Sequence, residues 1–386
     1  MAQATTPANA GLLTTTDSFF SSFKKDDGEL DKIFNSFKEF EQTEEELRLN
    51  EISTDIFNTY MWVICAIGIP ANITIIITIV GMRVLSPATF FVTLLAGYDG
   101  MALISKLIGH ILIRNEIEQG TVLCKLEFFP SYFSTLANWA LILICFERFI
   151  SVCFPLKKVY LLTKRRCYIA AAVVSVALLL IFTGFFALMR EPAGDHNCGT
   201  PSKYTKFWAH GWYWISVSLY LFLPFLVITG LTIAIVRSLS QARKHRRSLM
   251  RKGSEGGPTS AADQRLLKTT EKTERMITIM LIIASVVFLI LSLPACIYFL
   301  GHDRDTKGVE EARWNLFSQV AYLMTDSSHA VNFFLYFFTA KRFRSFAFRL
   351  FCKKCLPRRV FETSEEKVPS QSTKVSTISH HVDNKI

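Results

Sequence analysis

The chain lacks the short patterns that carry most enzyme chemistry. It has no nucleophile elbow, no glycine loop for cradling phosphate and no HxxxH spacing for a metal. Its eight histidines fall mostly in loops and tails, with His110 and His329 the main ones inside apolar sequence. An enzyme is not expected. Internal repeats and paired broken helices are missing too, which argues against a transporter. No basic segment leads into an apolar one before residue 56, so no cleavable signal peptide is expected and the first apolar run would serve as the signal. No Asn-X-Ser/Thr occurs in the expected outer segments; the one match, Asn72-Ile-Thr, lies within an apolar run. Charge is sparse as well, at 19% of residues against 50% hydrophobic, with 33 phenylalanines. That balance excludes an ordinary soluble domain.

What the chain does have is long apolar runs. Seven are long enough to cross a hydrocarbon core: Phe57–Met82, Thr89–Ile113, Val122–Cys153, Cys167–Met189, Trp212–Val236, Met276–Leu300 and Leu316–Phe338. The expected fold is an all-α membrane protein, a seven-transmembrane helix bundle. The net charge of +11 would suggest nucleic acid in a soluble protein, but here its placement matters more, and no nucleic-acid partner is expected. Basic residues cluster in alternate connections: Arg83, Lys157 to Arg166, Arg237 to Arg275 and Lys341 to Arg359. The positive-inside rule makes that face cytoplasmic. The opposite face then holds the N-terminal tail, which carries twelve Asp/Glu against five Lys/Arg through Asp55. Four regions follow: an extracellular, acidic, mostly disordered tail (1–55) with one weak amphipathic helix, the bundle (56–338), a short amphipathic helix on the cytoplasmic membrane surface (339–352) and a disordered tail (353–386). The protein is expected in the plasma membrane, multi-pass, with its N-terminus outside.

Polar groups within the runs mark the candidate sites, because ionisable residues in lipid are costly and by default functional. Asp99 is a carboxylate with no basic neighbour within its own helical turn. It needs a cation, a proton or a polar cluster, for which Asn72 and Asn332 are candidates. Lys106 lies two turns outward and Glu127 sits at similar depth in the third run. These two could pair, or either could meet a ligand charge. Asp326 could hold a cationic ligand or pair with Lys106, while His329 reads as an ordinary hydrogen-bonding residue of the bundle interior. At the inner end of the third run, Glu147 and Arg148 form an adjacent acid and base that is either a helix-end anchor or a switch. Pro224 and Pro294 lie inside helices and would kink them.

Taken in order, these residues resemble the rhodopsin-like (class A) G-protein-coupled receptors. The resemblance rests on Asn72 within GIPAN, Asp99 within LAGYD, Cys124 with Cys198, Glu147-Arg148-Phe149, Pro224, Pro294, and Asn332 to Tyr336 standing for Asn-Pro-X-X-Tyr. It implies a Cys124–Cys198 disulfide and a switch built on Glu147, Arg148, Phe149, Glu274, Asn332 and Tyr336, with a resting Arg148–Glu274 pair. It also implies an intramembrane polar or sodium site around Asn72, Asp99 and Asn332, with no other cofactor. The implied partners are an extracellular ligand, a heterotrimeric G protein at the Arg148 end, and arrestin and a receptor kinase at the Ser/Thr-rich tail. Cys352 and Cys355 suit S-palmitoylation.

The sequence also departs from that pattern. Ser292 stands where many members carry a toggle tryptophan, Thr232 where a tyrosine often supports the active state, and Phe333 where the seventh span has proline. The third span reads Phe128-Phe129-Pro130-Ser131 and lacks the aspartate of aminergic receptors, and Asp326 falls where opsins carry their retinal lysine. Monoamine receptors and opsins are thereby excluded. The ending SSHAVNFFLYFFTAKRFR is similar to invertebrate neuropeptide receptors of the FMRFamide type. A basic peptide would suit the acidic outer segments, with Lys106, Glu127, Ser131, Ser292 and Asp326 as pocket candidates. A small-molecule chemosensory receptor is the rival reading.

Overall fold

The computed structural model describes residues 27–82, 86–115, 121–188, 201–252, 261–302, 306–339 and 341–351, with side chains left undescribed mainly in 27–41, 242–252 and 261–277. Every regular element among them is helical. Among the described residues six helices are both long and apolar enough to cross a membrane: Gln42–Gly81, Pro87–Arg114, Cys124–Cys153, Lys164–Leu188, His210–Gln241 and Thr278–Gly301. The seventh span, in the helix Val309–Thr339, falls short on hydropathy and not on length, since it carries Gln319, Asp326, Ser328, His329 and Asn332. Most of these polar groups are buried against the other helices, so the helix is polar towards the bundle.

Helix ends follow local chemistry. Ser86 caps the second span, accepting from the Thr89 N–H at 3.2 Å while the Thr89 hydroxyl accepts from the Ser86 N–H at 2.8 Å, with Pro87 at the first helical position. Along this span Phe91, Val92, Leu95, Ala96, Asp99, Ala102 and Leu103 form one buried stripe at helical spacing. Large apolar side chains such as Ile73, Ile77, Val173 and Leu180 point outward, as a surface bathed in lipid requires.

The first span packs against the second and seventh, the third against the second, fourth and fifth, and the sixth against the seventh. Close approach depends on Gly68, where an added Cβ would stand 2.5 Å from Leu103 Cδ1 and 2.9 Å from Ala330 Cβ. That contact brings Asn72, one turn further on, up to the His329 carbonyl. The fifth span is interrupted by wide, π-type turns at Phe207–Trp212 and Ser218–Phe222, the latter just before buried Pro224. Proline and the wide turn leave carbonyls without helical donors. The third span supplies them: Asn138 Nδ2 donates to the Tyr220 carbonyl at 2.7 Å and Trp139 Nε1 to that of Leu219 at 2.9 Å.

Two boundaries differ from expectation. The first helix runs continuously from Asp27 to Gly81, so residues 27–55, expected mostly disordered, extend the first span. Strong helix formers dominate this stretch, and Glu45 reaches Arg313 of the seventh helix at 2.7 Å. The surface helix covers Lys341–Phe351, with Phe343 and Ala347 buried, and Phe346 fills the space beside Gly81. Residues 1–26 and 352–386, including the expected tail phosphorylation sites, lie outside the described residues.

Candidate functional site

Three polar constellations run down the bundle, from the end expected to face outward to the end expected to face the cytoplasm. Lys106 of the second span donates to Asp326 Oδ1 of the seventh, and the Tyr60 hydroxyl of the first donates to Asp326 Oδ2 at 3.5 Å. The expected alternative, Lys106 with Glu127, is not the pairing found: Glu127 is exposed, and Lys106 is taken by Asp326. The aspartate is nearer because the second and seventh spans flank the first. Tyr220 and Tyr322 border the same carboxylate. Outward of it Tyr298, Phe299, Tyr322, Phe317 and Trp314 make an aromatic wall, with ring centroids 5.3 to 6.5 Å apart along the chain of contacts. Ser131 is exposed and takes no part, while Ser292 is fully buried without a hydrogen-bond partner for its hydroxyl.

One turn inward lies the Asp99 cluster. Asp99 Oδ1 is 2.8 Å from His329 Nδ1, and Oδ2 accepts from Asn332 Nδ2 at 2.8 Å. Asn72 Nδ2 donates to the His329 carbonyl at 2.8 Å and to that of Gly68 at 3.0 Å. Asp99 and His329 are each 1% exposed, so the pair is sealed from bulk water. Beside it a small space, also lined by Asn138, Ser328 and Phe288, has about 10 Å³ of room, close to what one water needs. His329 Nε2 has no partner within it. The sequence reading grouped Asn72, Asp99 and Asn332 but left His329 out. A signal for it existed: Asp326, His329, Asn332 and Tyr336 recur at three- and four-residue spacing, a polar stripe on one helical face.

At the inner end Glu147 and Arg148 are both buried, with Glu147 Oε2 at 2.8 Å from Arg148 Nε. Among the described residues neither of those two atoms makes a hydrogen bond, so the contact is close but poorly aligned. Ser151 donates to Glu147 Oε1 at 3.1 Å, and Phe149 packs against Phe154 at 5.7 Å between ring centres. Tyr336 is buried with its hydroxyl unpartnered among the described residues, and Phe333 stacks on Phe337 at 5.5 Å. The side chain of Glu274 and the residues Cys198, Cys352 and Cys355 lie outside what is described, and the Arg148–Glu274 pair with them. Cys124 is fully buried and is not among the free thiols.

A helical bundle with an acid and base at one end of its third span and a carboxylate cluster at its centre is the arrangement that the receptor resemblance implies. The profile of the 7 transmembrane receptor (rhodopsin family) matches residues 71–336, and the chain belongs to that family. It is therefore a multi-pass membrane protein of a receptor family rather than an enzyme. Among curated proteins it is similar to Probable G-protein coupled receptor B0563.6 of Caenorhabditis elegans, 24% identical over 298 residues, 71% of this chain and 64% of that protein. It is also similar to Probable G-protein coupled receptor AH9.1 of the same organism, 28% identical over 134 residues, 34% of this chain and 32% of that protein. The chain thus spans just under two thirds of the length of the first relative and about a third of the second.

Proposed function

We propose that this chain is a plasma-membrane receptor, N-terminus outside, which binds a basic neuropeptide at its outer end and activates a heterotrimeric G protein at its inner end. The observation carrying the ligand half is the Lys106–Asp326–Tyr60 constellation beneath an aromatic wall. A cationic side chain of the peptide competes with Lys106 for Asp326, and aromatic or apolar side chains pack on Tyr298, Phe299 and Tyr322. Glu44, Glu45, Glu46 and Glu51 on the first helix and Glu310 and Glu311 at the start of the seventh surround that end with acidic charge, which steers a basic ligand inward.

Binding at Asp326 perturbs a helix that holds His329 one turn and Asn332 two turns further in, and Tyr336 beyond them. Arg148, held by Glu147 through an unaligned contact, is then free to turn towards the G protein. A resting partner in Glu274 would bias that equilibrium, since a boundary ion pair is worth under about 1 kcal/mol. The Cys124–Cys198 disulfide would tie the outer loop to the third span, palmitoylated Cys352 and Cys355 would anchor the surface helix, and a phosphorylated tail would recruit arrestin after a receptor kinase acts.

The test is expression in reporter cells challenged with a panel of amidated basic peptides and a panel of small odorants, beside Arg148→Ala. A peptide response lost in Arg148→Ala and weakened in Asp326→Ala is expected. Responses to odorants alone favour the chemosensory reading, and a transport current without nucleotide exchange rejects the receptor reading altogether.

A further inference from the structure

A carboxylate buried to 1% exposure in a membrane bundle needs a counter-charge or donors aimed at it. The resemblance described above leads one to expect a sodium ion there, held by oxygen atoms. The groups facing Asp99 do not fit that expectation. Oδ1 meets the ring nitrogen Nδ1 of His329 and Oδ2 accepts from the amide Nδ2 of Asn332, each at 2.8 Å, so both oxygens face nitrogen and, among the described residues, neither faces an oxygen ligand. A hard cation takes oxygen ligands, and an N–H pointed at its site repels it. We infer that the His329 ring stands where a cation would be needed, so that Asp99 is satisfied from within the chain and the bundle is indifferent to sodium.

The surroundings agree. From the first span only Asn72 faces the ring's residue, through the His329 carbonyl; from the third Asn138 lines the space, and from the sixth Ala284 and Phe288, which carry no charge. On the seventh helix itself Ser328 and Asn332 adjoin the ring, Asp326 one turn outward is occupied by Lys106, and Tyr336 lies inward. Asp99 and His329 are thus the one acid–base pair lining the space, and whatever proton they hold is shared within their own hydrogen bond. The ring is also fixed in place: its backbone carbonyl is held by Asn72 and its Nδ1 by Asp99. The room left over, about 10 Å³, suits a water at Nε2 and not an ion with its coordination shell. Deleting the ring would free Asp99 Oδ1 and merge its volume with that space, where Asn138 and Ser328 also carry side-chain oxygens. The chain would then acquire the cation site that the histidine fills.

The experiment uses the purified full chain in lipid nanodiscs and needs neither ligand nor G protein, so its outcome is separate from that of the receptor reading. Thermal unfolding midpoints are compared in sodium chloride, potassium chloride and choline chloride at equal ionic strength. The native chain is expected to unfold at one temperature in all three. His329→Ala, and His329→Ser as a second route should the first misfold, should start lower and gain a sodium-specific rise of roughly 2 °C or more. Adding Asp99→Asn to either variant should erase that rise. A sodium-specific rise in the native chain overturns the inference. So does sodium indifference in the folded His329 variants, or a rise that survives Asp99→Asn.

Discussion

The Asp99 cluster and the Glu147–Arg148 pair are both buried acid–base contacts at 2.8 Å, yet they are built differently. At Asp99 each carboxylate oxygen has its own donor, on a helix held in place by Asn72. At Glu147 the closest oxygen and its arginine nitrogen approach without hydrogen-bond alignment, and among the described residues both are left unsatisfied. A carboxylate matched at both oxygens rigidifies the helices that carry it, whereas a close but mismatched pair is held at a cost and is ready for another partner. On the proposed reading the matched centre of the bundle serves as scaffold and the Glu147–Arg148 end as the switch.

That contrast can be broken by stability measurements on the purified receptor. Asp99→Ala strands the His329 ring and the Asn332 amide together and should cost about 3 kcal/mol, read as the largest drop in unfolding midpoint. Asp326→Ala comes next at about 2 kcal/mol, because Lys106 keeps some access to water and can relax, and it should also weaken any peptide response. Asn138→Leu leaves the Tyr220 carbonyl without a donor at the Pro224 turn, a loss of about 1 kcal/mol, which the neighbouring Trp139 bond limits. Smallest is Glu147→Gln, which keeps the Ser151 contact and forfeits no aligned bond to Arg148. It should cost no more than about 1 kcal/mol, because the amide oxygen still faces the arginine, while raising ligand-independent nucleotide exchange. Should Glu147→Gln destabilise as much as Asp99→Ala and leave basal exchange flat, the division into scaffold and switch is wrong.

The helical architecture was legible because apolar runs of membrane length need no tertiary knowledge to read. The seventh span was the delicate one, and its polar stripe is what lowers its hydropathy. Asp99 was recognisable as a residue in need of partners, since a lone acid in lipid is conspicuous whatever surrounds it. His329 was not chosen as that partner, because a single intramembrane histidine reads as packing until helix rotation is known. Lys106 had two acids within reach in sequence terms, Glu127 and Asp326, and only the crossing of the second and seventh spans decides between them. The aromatic wall was hidden by abundance, as aromatics make up 13% of the chain. The wide turns of the fifth span have no sequence signature beyond Pro224, and the helical run from Asp27 was masked by its acidic, low-complexity surroundings.

The continuous first helix changes the mechanics of the outer face. Its 55 residues make a rod of about 80 Å, far longer than a bilayer core, so much of it stands clear of the membrane. Near the point of emergence Glu45 grips Arg313, and Glu46 comes beside Gly308, whose positive φ of 65° shapes the entry to the seventh helix. The rod is thus an outrigger lashed to the helix that carries Asp326, His329 and Asn332. Tilt of that helix by a fraction of its width swings the far end of the rod through a larger arc. A fluorophore attached at Asp27, where the described helix begins, would act as the pointer of that gauge.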